Sequence, residues 1–239
     1  MGRSDEYLAK MGIEVWLPRW QTDSAVKGDM PRQQEVGSMS LTPAIERIEA
    51  VCPSDLPDWQ QLKAEVSQCT RCPLHETRTQ TVFGVGSEQA PWMIIGEAPG
   101  EQEDLQGEPF VGRAGQLLNE MIRSAGYVRD EVYIANVLKC RPPKNRDPAQ
   151  EEAAACESYL KSQLALIKPA IILAVGRVAA QNLLKTATPI GKLRGIVHDY
   201  AGIPLVVTYH PAYLLRSQTE KRRAWDDIKL ARRTFNSLV

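Results

Sequence analysis

Apolar and polar positions divide this chain at about residue 90. Beyond that point four short runs recur, WMIIGE (92–97), VYIANV (132–137), AIILAVG (170–176) and PLVVTYH (204–210). Each is rich in β-branched residues and of strand length. Between them lie amphipathic stretches at 114–126, 148–168 and 176–185, and a last one covers about 220–238. Continuous apolar strands alternating with helices predict an α/β domain, its parallel sheet covered on both faces.

Before residue 90 the pattern is weaker. SDEYLAKMGIEVWL (4–17) predicts a short helix with Ser4 as N-cap and Gly12 as a stop. A stretch rich in Pro, Gly, Ser, Gln and charge follows without periodicity, and reads as a linker. Helical segments are expected at about 43–51 and from Asp58 to Ser67. The organisation expected is a terminal peptide (1–20), a flexible linker (21–43) and one domain (44–239).

In an open α/β sheet, ligands bind beyond the carboxyl ends of the strands. Three polar, Pro-containing loops stand there: GEAPGEQED (96–104), NVLKCRPPKNR (136–146) and HPAYLLR (210–216). They are expected to form one site. The first loop is crowded with carboxylates, Glu97, Glu101, Glu103, Asp104 and Glu108, ahead of Phe110. Glu101 and Glu108 read as solvated.

Charge adds little at the level of the whole chain, because 29 Lys+Arg balance 29 Asp+Glu. It is unevenly placed. Residues 1–60 hold six basic and ten acidic residues, whereas 209–239 hold seven basic and three acidic. A local basic surface suits a polyanion partner. Lys221, Arg222, Lys229, Arg232 and Arg233 are expected close together on the last helix. No apolar run approaches the ~20 residues of a membrane span, and no secretory signal pattern opens the chain. A cytoplasmic location is expected, with the five cysteines as thiols, ligands or catalytic groups rather than disulfides.

Cys69 and Cys72 form a C-x2-C pair, and Cys140 and Cys156 are more widely spaced. Thiolates select zinc or iron–sulfur. A redox dithiol is the other reading of the first pair, but no strand precedes it. Spacing alone leaves geometry and metal open. Taken alone, Cys156 in its Ala-rich helix is a small buried hydrophobe. Cys52 reads as a non-ligand.

Taken together, C-x2-C at 69–72, GEAPGEQED, GEPFVGRAGQLL (107–118), NVLKCRPPKNR, Cys156 and HPAYLLR resemble the family 4, iron–sulfur uracil-DNA glycosylases over roughly residues 60–239. The resemblance implies a three-layer α/β/α fold with a central four-stranded parallel sheet. It also implies a 4Fe–4S cluster on Cys69, Cys72, Cys140 and Cys156, structural rather than redox-active. The partner would be uracil-containing DNA, double- or single-stranded, and the enzyme a nucleoid-associated monomer.

The chemistry of that family assigns roles here. A base must leave the duplex to be reached. Phe110 would stack on the uracil, Asn136 would bind its imide edge, and Ala98 and Gly100 would line the pocket. His210 would stabilise the leaving uracil anion. Glu103, favoured, or Glu97 would stabilise the sugar cation or position water, with Asn145 as a water positioner. Ala98 and Gly100 stand where the best-known branch of the superfamily has Asp and Tyr, which leaves the water-activating group open. Leu214 or Leu215 would fill the gap left by the base, and Arg216, Lys144 and Lys139 would meet phosphates. No lysine nucleophile is required, so a monofunctional enzyme leaving an abasic site is expected. The branch that bonds covalently to the abasic sugar through an inserted histidine is not matched, because GEQEDLQGEPF contains no insertion. The alternative is a non-catalytic, DNA-binding replisome adaptor on a glycosylase fold.

GRSDEYLAKMGIEVWLPR (2–19) lies outside that resemblance. It is similar to the N-terminal segment of the psi subunit of bacterial DNA polymerase III. That similarity implies docking on the clamp loader, with Leu8, Ile13 and Trp16 as anchors.

Overall fold

The computed structural model describes residues 58–238. The docking peptide with Leu8, Ile13 and Trp16, the linker, the helix expected at 43–51 and Cys52 lie outside these residues. In chain order the elements are α1 (Trp59–Ser67), β1 (Val85–Gly86), β2 (Trp92–Gly96), α2 (Glu101–Gln106) and α3 (Arg113–Ala125). Then come β3 (Tyr133–Asn136), α4 (Gln150–Ile167), β4 (Ile171–Val175), α5 (Arg177–Leu184) and α6 (Ile190–Leu193). Last are β5 (Val197–Tyr200), β6 (Ile203–Thr208), α7 (Pro211–Arg216) and α8 (Lys221–Asn236). All four strands expected from the apolar runs form.

Among the described residues the sheet has six strands, in the order β1-β3-β2-β4-β6-β5. Its four central strands are parallel, as expected. The sheet extends beyond these four at both edges, where β1 and β5 add antiparallel pairings. Neither edge strand has a readable period. β1 is two residues long, and β5 (VHDY) is polar and half-exposed. β5 is brought back by a turn at Ala201 (φ 54°) and Gly202 (φ 82°), the two left-handed residues of a tight hairpin.

The central strands are buried on both sides, and period-2 alternation divides their side chains between two cores. Met93, Ile95, Ala135, Ile172, Ala174 and Val207 pack with Leu160 and Leu164 of α4 and with Ala179, Ala180 and Leu183 of α5. Ile94, Ile134, Leu173 and Val206 pack with Leu118, Met121 and Ile122 of α3 and with Ala224, Ile228 and Ala231 of α8. The helices form because their apolar residues recur at three- and four-residue spacing, as in the buried Ala153, Cys156, Leu160, Leu164 and Ile167 of α4. Their ends are set locally. Asp58 Oδ1 accepts from the Gln61 N–H at 2.7 Å to start α1, and Gly126 (φ 96°) stops α3. Ala224, Asp227, Ile228 and Ala231 face α8 inward, while Arg222, Lys229, Arg232 and Arg233 are exposed. None of the helices among the described residues is long and apolar enough to cross a membrane.

A third, smaller core joins α1 to α4 through Leu62, Val66, Leu74, Phe83, Leu138 and Tyr159. Cys140 and Cys156 lie within it, and Cys69 and Cys72 pack against it.

Candidate active site

β2, β3 and β6 end on one rim and deliver the three polar loops there. The β2–β3 register sets Gly96 directly beside Asn136. Asn136 is 2% exposed, and its Oδ1 has no hydrogen-bond partner. A buried amide oxygen left unpaired costs about 1–3 kcal/mol, so it marks a place where a ligand donor fits. A Cβ on residue 96 would stand 2.3 Å from Asn136 Oδ1 and 2.7 Å from Phe110 Cζ. The missing side chain therefore keeps Asn136 and Phe110 together at one spot.

Phe110 holds φ at 55°. A bulky residue rarely adopts this left-handed conformation, and such strain gathers at functional sites. Its ring lies 5.6 Å from that of His210, tilted by 30°. His210 caps α7, and its Nδ1 accepts from the Ala212 N–H at 3.2 Å. The proton of the neutral ring is therefore on Nε2. Burial, aided by the Arg216 guanidinium and opposed by Glu103, drives its pKa down to about 4. At neutral pH the group is an uncharged imidazole. It rests on Gly176 (φ 99°), where a Cβ would come within 3.1 Å of the His210 Cβ.

The carboxylates of the first loop divide sharply. Glu103 accepts from three backbone N–H groups: Gly100 (3.1 Å) at Oε2, and Val111 (3.0 Å) and Gly112 (3.4 Å) at Oε1. It ties the α2 entry to the segment after Phe110 and adds negative charge near His210. Asp104, also buried, accepts from the Thr79 N–H at 3.0 Å with both oxygens. Sequence reasoning gave Asp104 no role; its place one residue from Glu103 in an acidic run was the only signal. Glu101 and Glu108 are exposed, Glu101 lying 3.8 Å from Arg141. Glu97 differs from all of these. It is half-buried, and burial, followed by the nearby Asp147 and opposed by Arg177, raises its pKa to about 7. A carboxyl poised at that value can exchange protons under ordinary conditions.

Other candidates fall into place around this group. Gly100 caps α2, and Ala98 packs against the cysteine-bearing core. Lys144 and Asn145 form an exposed turn with φ 54° at both, and Asn145 Oδ1 accepts from Arg141 Nε at 2.7 Å. Arg216 is exposed and Leu215 half-exposed. Two expectations are corrected. Leu214 is 1% exposed and belongs to the core under α3 and α8, because its position on α7 turns it inward. Tyr213, which sequence reasoning passed over, is the large side chain exposed there, at 38%. Lys139 is 1% exposed and cannot meet a phosphate; its ammonium bonds the Asn136 carbonyl and Gln163.

The four cysteines are brought to one place. Cys72 acts electrostatically on both Cys140 and Cys156, and Cys69 acts on Cys156. Donors point at the sulfurs. Arg78 Nη1 lies 3.1 Å from Cys140 Sγ, and the Lys139 backbone N–H lies 3.3 Å from Cys156 Sγ. Burial opposes ionisation of Cys69, but hydrogen bonds from Tyr159 and Arg71 outweigh it and hold that thiol below its ordinary range. Burial lifts Cys140 to about 11. Among the described residues, no three His, Cys, Asp or Glu side chains converge as ligands of a single metal ion. Four thiols in an apolar wall, with N–H donors aimed at sulfur, form a donor set that fits iron–sulfur ligation.

This arrangement at the strand ends of a doubly covered sheet matches a known group. Residues 83–229 match the Uracil DNA glycosylase superfamily, and the chain belongs to it. Within that superfamily it is similar to proteins named type-4 uracil-DNA glycosylase. It is 48% identical over 159 residues to the one from Archaeoglobus fulgidus, covering 63% of this chain and 80% of that protein. It is 45% identical over 171 residues to the one from Thermotoga maritima, covering 70% and 89%. A type-5 uracil-DNA glycosylase from Pyrobaculum aerophilum is 30% identical over 179 residues, covering 61% and 79%.

Proposed function

We propose that the chain is a monofunctional DNA-repair glycosylase that hydrolyses the N-glycosidic bond of uracil in DNA and leaves an abasic site. The observation that carries this reading is the buried, unpartnered Asn136 Oδ1 beside Phe110 and the bare Gly96. An acceptor there suits the N3–H of uracil, and the amide N–H suits its O4. Cytosine has no hydrogen on N3 and a donor at position 4, so it would mispair with both amide groups. The Phe110 face would support the flipped base.

Bond cleavage sends negative charge to uracil O2 and positive charge to the sugar. His210, neutral with its proton on Nε2, donates a hydrogen bond to the developing oxyanion without giving up that proton. Arg216, close enough to depress His210, adds a favourable field for the anion. Glu97 is the better candidate for activating water or stabilising the sugar cation. Its carboxyl titrates near 7, while the oxygens of Glu103 are taken up by the backbone. Glu103 then acts as a positioning group, and Asn145 as a polar contact on the loop opposite. Tyr213, Leu215, Arg216 and Lys144 form the DNA-facing edge.

Cys69, Cys72, Cys140 and Cys156 would hold a 4Fe–4S cluster. Four thiols gathered in or against one apolar core, with N–H donors aimed at two of the sulfurs, support that reading. When bound, such a cluster would supply a rigid anchor between α1, the second loop and α4. The peptide carrying Leu8, Ile13 and Trp16 would tether the enzyme to the clamp loader. Capture of clamp-loader subunits by the full chain, lost on deletion of residues 1–40, tests that part.

The deciding experiment is incubation of anaerobically purified protein with a uracil-containing oligonucleotide, followed by alkali. Excision without a nick before alkali, lost in Asn136→Ala and His210→Ala, is expected. DNA binding without excision from iron-replete protein would instead favour the adaptor reading.

A further inference from the structure

Lys139 is one of the largest fully buried side chains among the described residues. Burying an ammonium is costly unless its donors are satisfied. Its Nζ donates to the Asn136 carbonyl at 2.9 Å and to Gln163 Oε1 at 2.7 Å. Gln163, itself completely buried, donates through Nε2 to the Phe83 carbonyl at 2.9 Å and to the Tyr133 hydroxyl at 3.2 Å. The backbone of Lys139 is engaged as well. Its N–H points at Cys156 Sγ, and its carbonyl accepts from Val82 at 2.8 Å.

The placement has a structural reason. β1 pairs with Tyr133 and Ile134 and stops short of Asn136. The Asn136 carbonyl is bonded instead by an ammonium, which is a stronger donor than a neutral amide. The same residue therefore touches the end of the strand that carries the base-reading amide, the middle of α4, and the wall of the thiol-lined core.

We propose that Lys139 is a positioning residue that holds Asn136 in register for the base, and that Gln163 braces it. The inference rests on the glycosylase reading above. Removing the ammonium frees the Asn136 carbonyl and with it the amide that meets uracil, whereas the DNA-facing edge on α7 is untouched.

The test compares Lys139→Met with the parent full-length protein, each with its iron content measured. Two affinities are read: inhibition by free uracil, and binding of abasic-site DNA. Weakening of uracil by about tenfold or more, with abasic-DNA affinity and iron content held, is the expected result. Unchanged uracil inhibition overturns the inference. A parallel loss of both affinities, or loss of iron, makes Lys139 merely structural and overturns it too. If Lys139→Met does not fold, Gln163→Met decides in the same two assays. Weaker uracil with unchanged abasic-DNA affinity supports the bracing role, and any other pattern overturns it. Failure of the parent protein itself to be inhibited by uracil would count against the glycosylase reading, and is distinguished by that control.

Discussion

Gly96 and Asn136 are partners in the β2–β3 register, and the space that a Cβ on residue 96 would take lies 2.3 Å from Asn136 Oδ1. The buried Asn136 amide is thus accommodated by the absence of a side chain on the neighbouring strand. Gly96→Ala must push Asn136 or Phe110 aside. Because misplacement of about 1 Å can cost ~100-fold in rate, kcat/KM for uracil excision is expected to fall by that order. Single-turnover excision kinetics check this, with thermal unfolding as the control for folding.

Glu97 and His210 are shifted in opposite senses, and the pH profile should separate them. Glu97 ionises near 7 and His210 gains its proton only near 4. If ionised Glu97 serves the reaction, kcat/KM rises with pH through about 7 and then levels, and Glu97→Gln loses both the rise and most of the activity. An unchanged rise in that variant would assign the titration elsewhere.

The same shifts predict stability. Unfolded His210 takes a proton near 6.5, before the folded group does, so its contribution is full above 6.5 and lost as pH falls towards 4. Glu97 behaves oppositely. Its raised value favours the folded state below the ordinary 4.5, and that advantage is lost as pH rises to about 7. Glu97→Gln should therefore be more stable than the parent above pH 7 while less active, the trade-off expected of a functional carboxyl. Denaturant midpoints at pH 5 and pH 8 decide it.

Glu103→Gln should act mainly through structure. It weakens three backbone hydrogen bonds to a carboxylate, at a cost of about 1–3 kcal/mol. Activity should fall together with the unfolding midpoint. Abolished excision at unchanged stability would return Glu103 to the role of direct catalyst.

On α7, Leu214→Ala and Tyr213→Ala should part company. Leu214 is core, so its truncation costs about 2–5 kcal/mol. Tyr213 is exposed, with its ring 5.1 Å from Tyr209, so its truncation should leave stability within about 0.5 kcal/mol. It should lower excision from duplex DNA more than from single strands. Paired stability and excision assays on both substrates check this.

If the four thiols hold the proposed cluster, replacing Cys140 or Cys156 by Ala should remove iron and lower the unfolding temperature, since both sulfurs lie inside the α1–α4 core. Iron retained in either variant would remove that cysteine from the ligand set.

Much of this protein was legible along the chain. Period and composition determined the four parallel strands, the helices between them and the rim to which the three loops belong, because a doubly covered strand must be apolar throughout. Glycine, proline and acid placement named the loops. What linear order could not carry was direction and company. Leu214 and Tyr213 are adjacent, and only the seating of α7 on α3 and α8 decided which one faces inward. Lys139 and Lys144 read alike as basic loop residues, yet one ends beneath the strand and the other in solvent. Glu97 and Glu103 are two carboxylates six positions apart. Packing alone decided that backbone N–H groups hold one and that burial beside Asp147 poises the other, because proton affinity is a property of surroundings and not of residue type.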